Sequence, residues 1–436
     1  MSNIGVLPEK WRFSKLKFAL NQIKDGTHGT FARTIEGRPF LSAKNVYSNE
    51  IVISENESMI SEEDYKEITK NGFPKKGDLL LTIVGTIGRV NLYELDEPLA
   101  FQRSVAFLRL SKNYNSRYYF YYLQSDHYLE ELMTYAKTSA QSGVYMGDVS
   151  NTHIVIPPLE LQGLIADYLD DKVSKINGLI KDKEQLIQLL NEKRQSMITE
   201  AVTKGLNQNV KMKDSGVEWI GKIPEHWEVK RIKNVAEIHS SNVDKKSVEG
   251  ETEIRLCNYV DVYYNDEITK ELNFMKATAK PEQIEKFTLR YNDVIITKDS
   301  ESPNDIAIPT WVAEGLDGIL CGYHLALIRA KAEILNGHYL YYLLESESIR
   351  EQFYSKANGV TRFGLPKEAV KNGTIPLSPV KEQQDIASYL YAVNQEVKGM
   401  VLKLKDQIEK IKEYRQSLIY EAVTGKIDVR DFEVEA

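Results

Sequence analysis

The residues that could carry out catalysis in this chain are few and wrongly spaced for it. Gly221-Lys222 and Gly425-Lys426 have the pair that closes a phosphate-binding loop, but each is followed by isoleucine where a magnesium-binding hydroxyl must stand. None of the thirteen prolines follows Asn or Asp, so the Asn/Asp-Pro-Pro-aromatic loop that holds a target amine in nucleic-acid methyltransferases is missing. No Pro-Asp pair opens a nuclease carboxylate motif, and triplets such as Asp64-Tyr65-Lys66 arise by chance in a chain that is 27% charged. The seven histidines form no HExxH set and the two cysteines, Cys257 and Cys321, no CxxC. The sequence therefore predicts no catalytic residue, no cofactor site and no metal site here.

Composition narrows the choice further. At about 150 residues per domain, 436 residues imply two or three domains, and 42% hydrophobic content is enough to give them cores. No run approaches the roughly 20 apolar residues that span a bilayer, and Met1 to Phe13 lacks the apolar core of a signal peptide. With isolated cysteines, the expected location is a reducing cytoplasm. A net charge of −7 argues against a general polycation, so any nucleic-acid binding must come from local patches.

The elements that would position such patches are duplicated. Glu200-Ala201-Val202-Thr203 recurs as Glu421-Ala422-Val423-Thr424, Arg194-Gln195-Ser196 as Arg415-Gln416-Ser417, and Ile165-Ala166 with Tyr168-Leu169 as Ile386-Ala387 with Tyr389-Leu390, all at an offset of 221. Upstream the repeat is looser. Ile4-Gly5, Pro8-Glu9 and Trp11 answer Ile220-Gly221, Pro224-Glu225 and Trp227, and Tyr121-Tyr122-Leu123 matches Tyr341-Tyr342-Leu343. Phe73 with Gly77 to Thr82 resembles Phe287 with Asn292 to Thr297, which reads as a turn entering a buried strand. The order is globular part, helix, globular part, helix, with the helices alike and the globular parts diverged. Residues 1–157 carry 18 basic and 18 acidic side chains, and 211–378 carry 22 and 26, so neither part is basic.

Leu169, Val173, Ile176, Ile180, Lys183, Ile187, Leu190, Arg194, Met197 and Ala201 step by fours and threes, the seam of a coiled coil. Adding 221 gives Leu390, Asn394, Val397, Val401, Leu404, Ile408, Ile411, Arg415, Leu418 and Ala422. Pro158 and Pro379 precede the two helices and Gly205 and Gly425 follow them, as start and stop signals do. Two seams of equal length predict pairing with each other, and an antiparallel pair would create a pseudo-twofold axis. Asn394 and Lys183, polar within the seams, would fix register. The alternative is that each helix packs separately on its own globular part.

The run Lys213-Asp214-Ser215-Gly216-Val217-Glu218-Trp219-Ile220-Gly221-Lys222-Ile223-Pro224-Glu225-His226-Trp227 resembles the opening of target recognition domains in specificity subunits of type I restriction–modification enzymes. Ile375-Pro376 leading to Glu382-Gln383, and Arg415-Gln416-Ser417 leading to Ala422-Val423-Thr424-Gly425-Lys426-Ile427-Asp428, resemble the same family. The likeness covers essentially the whole chain, with both copies in order. One departure is Thr203-Lys204-Gly205-Leu206 at the end of the first helix, where the second has Thr424-Gly425-Lys426-Ile427.

The resemblance implies an α+β protein: two globular target recognition domains alternating with two long helices that pair as an antiparallel coiled coil, a pseudo-twofold internal repeat. Its divisions would be 1–157 and 218–378 for the recognition domains, 158–205 and 379–427 for the helices, 206–217 for a linker and 428–436 for an acidic tail. It implies that the chain is a non-catalytic subunit, that each domain reads one half of a bipartite, asymmetric double-stranded DNA site, and that the helices act as spacer. It also implies two methyltransferase subunits docked on the helices and restriction/translocase subunits beyond them, with S-adenosylmethionine, ATP and Mg bound in those partners. A different reading is an assembly scaffold whose globular parts bind proteins.

If DNA is the ligand, base-edge and phosphate contacts should come from Arg, Lys, Asn, Gln, Ser, Thr and His in loops. In the first domain these are Lys44, Asn45, Thr86, Arg103, Ser104 and Gln141; in the second, Asn242, Asn258, Lys298, Asn304, His324 and Arg362. Arg103 and Arg362 are the strongest candidates, because a guanidinium pairs bidentately with guanine or clamps a phosphate. Lys44 and Lys298 fit phosphate. The 25 tyrosines could stack on bases, but most, including Tyr118-Tyr119 and Tyr341-Tyr342, fit a core.

Overall fold

The structure, a computed structural model, describes residues 6–48, 50–136, 142–359 and 361–432. It divides into two units: one takes the chain up to Lys183 and again from Lys405 onward, the other runs Glu184–Leu404. Each therefore holds one globular part, one half of a first long helix (Leu159–Lys204, 46 residues) and the opposite half of a second (Val380–Val423, 44 residues).

The helices begin directly after Pro158 and Pro379, whose rings cannot continue a helix backwards, and are followed by Gly205 and Gly425, both at φ +76°. None of the predicted seam positions is exposed on either helix. In the first unit Lys183 Nζ donates to Gln407 Oε1 at 2.9 Å, and Arg415 to the Asn177 side chain. Moving back along one helix means moving forward along the other, so the halves run antiparallel. In the second unit Ile198, Ala201 and Val202 share a core with Ile386, Ala387 and Leu390, again end against beginning. Of the two polar seam residues, Lys183 stays within the helix pair. Asn394 instead donates to Asp266 Oδ2 at 3.0 Å in the globular part, where Lys398 Nζ also binds at 2.7 Å.

The globular part of the first unit centres on an antiparallel sheet ordered Leu20–Asp25, Val105–Leu110, Leu79–Thr82, Val90–Leu92. A smaller sheet joins Met59–Ile60, Arg38–Leu41 and Ala100–Phe101. In the second unit the main sheet is ordered Ala236–Ser240, Leu325–Ala330, Asp293–Thr297, Pro309–Val312, Glu267–Ile268. Beside it lies a sheet of Met275–Ala279, Thr252–Cys257, Leu316–Cys321 and Thr288–Leu289. The leucine run 79–82 and the segment 293–297 are wholly buried, as expected of a strand covered on both faces. Each is entered by a residue of positive φ, Gly77 (+90°) and Asn292 (+74°), which is followed by a buried aspartate held bidentately by an arginine of the adjacent strand, Arg109 on Asp78 and Arg329 on Asp293.

Several bonds at the junctions between helix and globular part repeat atom for atom. Tyr118 donates its hydroxyl proton towards Val423 O (2.9 Å) and Val155 O (3.3 Å); Tyr339, 221 residues on, does so towards Val202 O and Pro376 O (both 3.4 Å). Gln162 accepts from Asn115 N–H and donates to Pro157 O, and Gln383 accepts from Asn336 N–H and donates to Ser378 O. Gln416 donates to Gln124 O and Gln195 to Glu345 O. These contacts put the tyrosine helices at an offset of 221, one residue from the sequence match of Tyr121 with Tyr341; the tyrosine runs blur the register and the capping Asn115 and Asn336 settle it.

Candidate nucleic-acid interface

In the first unit, main-chain hydrogen bonds lace the candidate loops together at one end of the sheets. Thr27 N–H donates to Phe101 O (2.8 Å), Arg103 N–H to Thr27 O (3.1 Å), Gln102 N–H to Leu41 O (2.8 Å) and Ile83 N–H to Ser104 O (2.9 Å). Val144 N–H donates to Ile83 O and Gly85 N–H to Ser142 O. Gly26 is required by this packing, since a Cβ there would lie 2.3 Å from Gln102 O.

The second unit repeats the frame. Gly322 N–H donates to Cys257 O (2.9 Å), Lys298 N–H to His324 O (3.1 Å), Leu365 N–H to Lys298 O (2.7 Å) and Ser241 Oγ–H to Cys321 O (2.6 Å). A short ladder pairs Asp299 with Gly364 and Ser300 with Phe363, where the first unit bridges Val84 to Gly143. Matching these bonds makes Gln102 equivalent to Gly322, Arg103 to Tyr323, Ser104 to His324 and Ile83 to Lys298.

The individual side chains differ in what they have left to offer. Arg103 is exposed, and no side-chain partner for its guanidinium is found among the described residues. Thr86 stands exposed at the tip of its loop. Lys44 is exposed, with its Nζ 2.9 Å from Glu57 Oε1. Burial would raise that carboxyl, but hydrogen bonds from Lys44, Asn45 and the Ser58 N–H outweigh it and hold the group below the usual range. Asn45 is only 3% exposed. Its amide accepts from Ser42 N–H and donates to Val52 O and Glu57, so it shapes the loop instead of facing outward. Ser104 Oγ accepts from Ala43 N–H. Gln141 lies outside the described residues.

In the second unit His324 links the other two candidates, its main-chain O accepting from Lys298 N–H and its ring meeting Arg362. His324 Nδ1 lies 3.2 Å from Asp299 Oδ2 and 3.1 Å from Arg362 Nη2, and Lys298 Nζ donates to Ser241 O at 3.1 Å. Asn258 joins through Cys257, and its N–H donates to Asp261 Oδ2 at the head of the helix Tyr259–Tyr263. Asn242 is exposed beside Ser241 and pairs with Gln283. Asn304, exposed on the turn Pro303–Asp305, is tied in more remotely, by Thr297 Oγ1 donating to Asp305 O. The sequence places Tyr323, half-exposed in the middle of this group, in the candidate loop Gly322-Tyr323-His324 but does not single it out, because tyrosine is expected in the core; only nine of the 25 tyrosines are in fact buried.

Other reactive groups sit elsewhere. Cys257 and Cys321 are register neighbours on parallel strands, and burial pushes both thiols up. His338 stacks on Trp311 at 3.8 Å, and burial lowers its imidazole to about 4, so it is a neutral packing group. Among the described residues no group of His, Cys, Asp or Glu could hold a metal, and no helix is long and apolar enough to cross a membrane.

A family model described as the type I restriction modification DNA specificity domain matches this chain twice, over residues 9–189 and 224–410. A protein of Methanocaldococcus jannaschii assigned as the MjaX specificity subunit of a type I restriction enzyme is 28% identical over 441 residues, covering 98% of this chain and 96% of that one. Among solved structures, a chain from a study of complex assembly and conformational transition of the type I R-M system superposes with a TM-score of 0.69, at 16% identity, over 97% of this chain and 100% of that one. The HsdS subunit of Thermoanaerobacter tengcongensis superposes with a TM-score of 0.50, at 16% identity, over 97% of this chain and 98% of that one. At such identities the superpositions speak for the fold alone.

Proposed function

The chain belongs to the type I restriction–modification DNA specificity family, and from that premise we propose that each loop cluster reads one half of a bipartite, asymmetric double-stranded DNA site. The observation that carries this is the pair of matching main-chain frames with different exposed side chains. A shared frame fixes where the loops lie while leaving each copy free to display different side chains, as two different half-sites require. Arg103 and Thr86 would face the first half-site, and Lys298, His324, Arg362, Asn242 and Asn258 the second, with Asn304 at its margin. Lys44 would approach phosphate from the edge of the first cluster, while Asn45 and Ser104 hold the loops that present it.

The paired helices would act as spacer and as dock for two methyltransferase subunits, with restriction/translocase subunits completing the assembly. Leu179, Leu186, Leu189, Met400 and Leu402 lie exposed on the helices, which is apolar surface that a partner subunit would cover. S-adenosylmethionine, ATP and Mg would then be bound by the partners, and this chain would supply recognition without catalysis, in the cytoplasm where the DNA lies.

The test is to co-express the chain with its methyltransferase partner in a methylation-free host and sequence the methyl marks. A spaced two-part motif is expected. Marks on a continuous motif, or none from an assembled and active complex, would sink the reading. Adding one helical turn, about 5.4 Å, to one helix should also change the spacing by between one and two base pairs of about 3.4 Å.

A further inference from the structure

We propose that Tyr323 is a base-reading residue of the second loop cluster, doing with an aromatic ring what Arg103 does with a guanidinium at the same place in the first. The inference rests on the function proposed above and adds to it the chemistry of one contact. The equivalence comes from main-chain bonds alone. Gln102 and Gly322 donate to Leu41 O and Cys257 O, and Ser104 and His324 accept from Ile83 N–H and Lys298 N–H, leaving Arg103 and Tyr323 as the residues between.

The ring is 50% exposed, whereas Tyr339, Tyr341 and Tyr342 of the same unit are buried. It is nonetheless held. Lys298 Nζ lies 4.9 Å from its centroid, and the His324 ring meets it edge-on at 4.7 Å. Lys298 is itself fixed by Ser241 O, and His324 lies between Asp299 and Arg362. An exposed aromatic pinned by a cation gives up little conformational freedom on binding. The surrounding Lys298 and Arg362 suit phosphates, which position the duplex, and the ring is left to face a base.

The two side chains select different bases. An exposed guanidinium such as that of Arg103 fits guanine, offering two donors to O6 and N7. A tyrosine ring cannot make that pair; its apolar face fits the C5-methyl group of thymine in the major groove. Tyr323 should therefore set a thymine preference at one position of the second half-site.

The experiment is methyl-mark sequencing with the assembled methyltransferase complex, comparing wild type with Tyr323→Ala, Tyr323→Phe and Tyr323→Arg. Tyr323→Ala is expected to lower discrimination at a single position of the second half-site by about tenfold or more, with the first half-site unchanged. Tyr323→Phe should keep the motif, and Tyr323→Arg should move that one position towards guanine. An unchanged motif in Tyr323→Ala, a loss spread evenly over all positions, a change in the first half-site, or a Phe variant as broad as the Ala variant would each overturn the assignment. A wild-type complex that marks no two-part motif would instead count against the parent function.

Discussion

At the helix junctions the two copies place the same atoms in the same bonds: Tyr118 and Tyr339 on helix-end carbonyls, Gln162 and Gln383 between a helix cap and a strand end. In the loop clusters they keep the main-chain frame and exchange what it displays: Arg103 for Tyr323, Ser104 for a His324 that meets Arg362, and Ile83 for Lys298. The difference is one of burial. A junction side chain that satisfies a buried carbonyl cannot change without leaving that carbonyl unpaired. A loop side chain facing water pays nothing of the kind, and so can drift. The junctions depart from this rule most sharply at one charged pair. Glu345 stands where the first copy has Gln124, and it binds Arg194, whereas the equivalent Arg415 turns to Asn177.

The largest effect expected is at that departure. Arg194→Met leaves the Glu345 carboxylate enclosed without its cation and should cost about 3 kcal/mol, the low end for breaking a buried pair. Arg415→Met loses only an exposed hydrogen bond to a neutral amide and should cost about 1 kcal/mol or less. Denaturant unfolding of both variants measures the gap, and equal losses would mean that the junctions are alike after all. Arg103→Ala comes next. It should reduce discrimination at one first-half position by about tenfold, leave the second half intact and leave thermal stability unchanged, because the side chain is exposed and holds none of the described residues in place.

How much of this was legible beforehand follows the same division. The seams and their ends could be read because apolar spacing and the Pro and Gly signals are local properties of the chain, whereas the antiparallel direction of the pair came from the family resemblance. The strands 79–82 and 293–297 were equally plain, being apolar runs behind a turn. The candidate segments were legible as loops, since Gly, Ser, Asn and Lys mark chain that leaves regular structure. Which side chain within a loop faces out was not. Asn45 and Lys44 are adjacent, yet one is buried in hydrogen bonds and the other exposed, and only the distant Glu57 and Val52 decide that. Tyr323 lay in a candidate loop but was not singled out for a related reason: its exposure depends on strands far away in sequence, and tyrosine alone predicts a core.

Smaller effects test the sameness of the junctions. Tyr118→Phe and Tyr339→Phe each remove a hydroxyl from buried carbonyls and should each cost about 1 kcal/mol. Tyr118→Phe should cost the more, because its bond to Val423 O is 2.9 Å where both bonds of Tyr339 are 3.4 Å. Calorimetry of the two variants compares them directly, and an effect in only one copy would break the equivalence that the duplicated bonds imply.

The smallest effect concerns Glu345 itself. Burial raises its carboxyl above the ordinary range, and the nearby Arg194 offsets this only in part. A carboxyl raised in the folded state gives stability that is full below the unfolded value and is lost as pH rises through the folded value. Glutamine is the neutral form at every pH and is what the first copy carries at Gln124. Glu345→Gln should therefore match wild type at acid pH, below the ordinary carboxylate range, and exceed it at pH 7 by less than about 1 kcal/mol. Unfolding curves at the two pH values decide it. A loss at pH 7 as large as that of Arg194→Met would mean that the ionised pair attracts by more than its burial costs, so that the second junction gains from its charge; a gain confined to pH 7 would mean that the first copy carries the more stable solution.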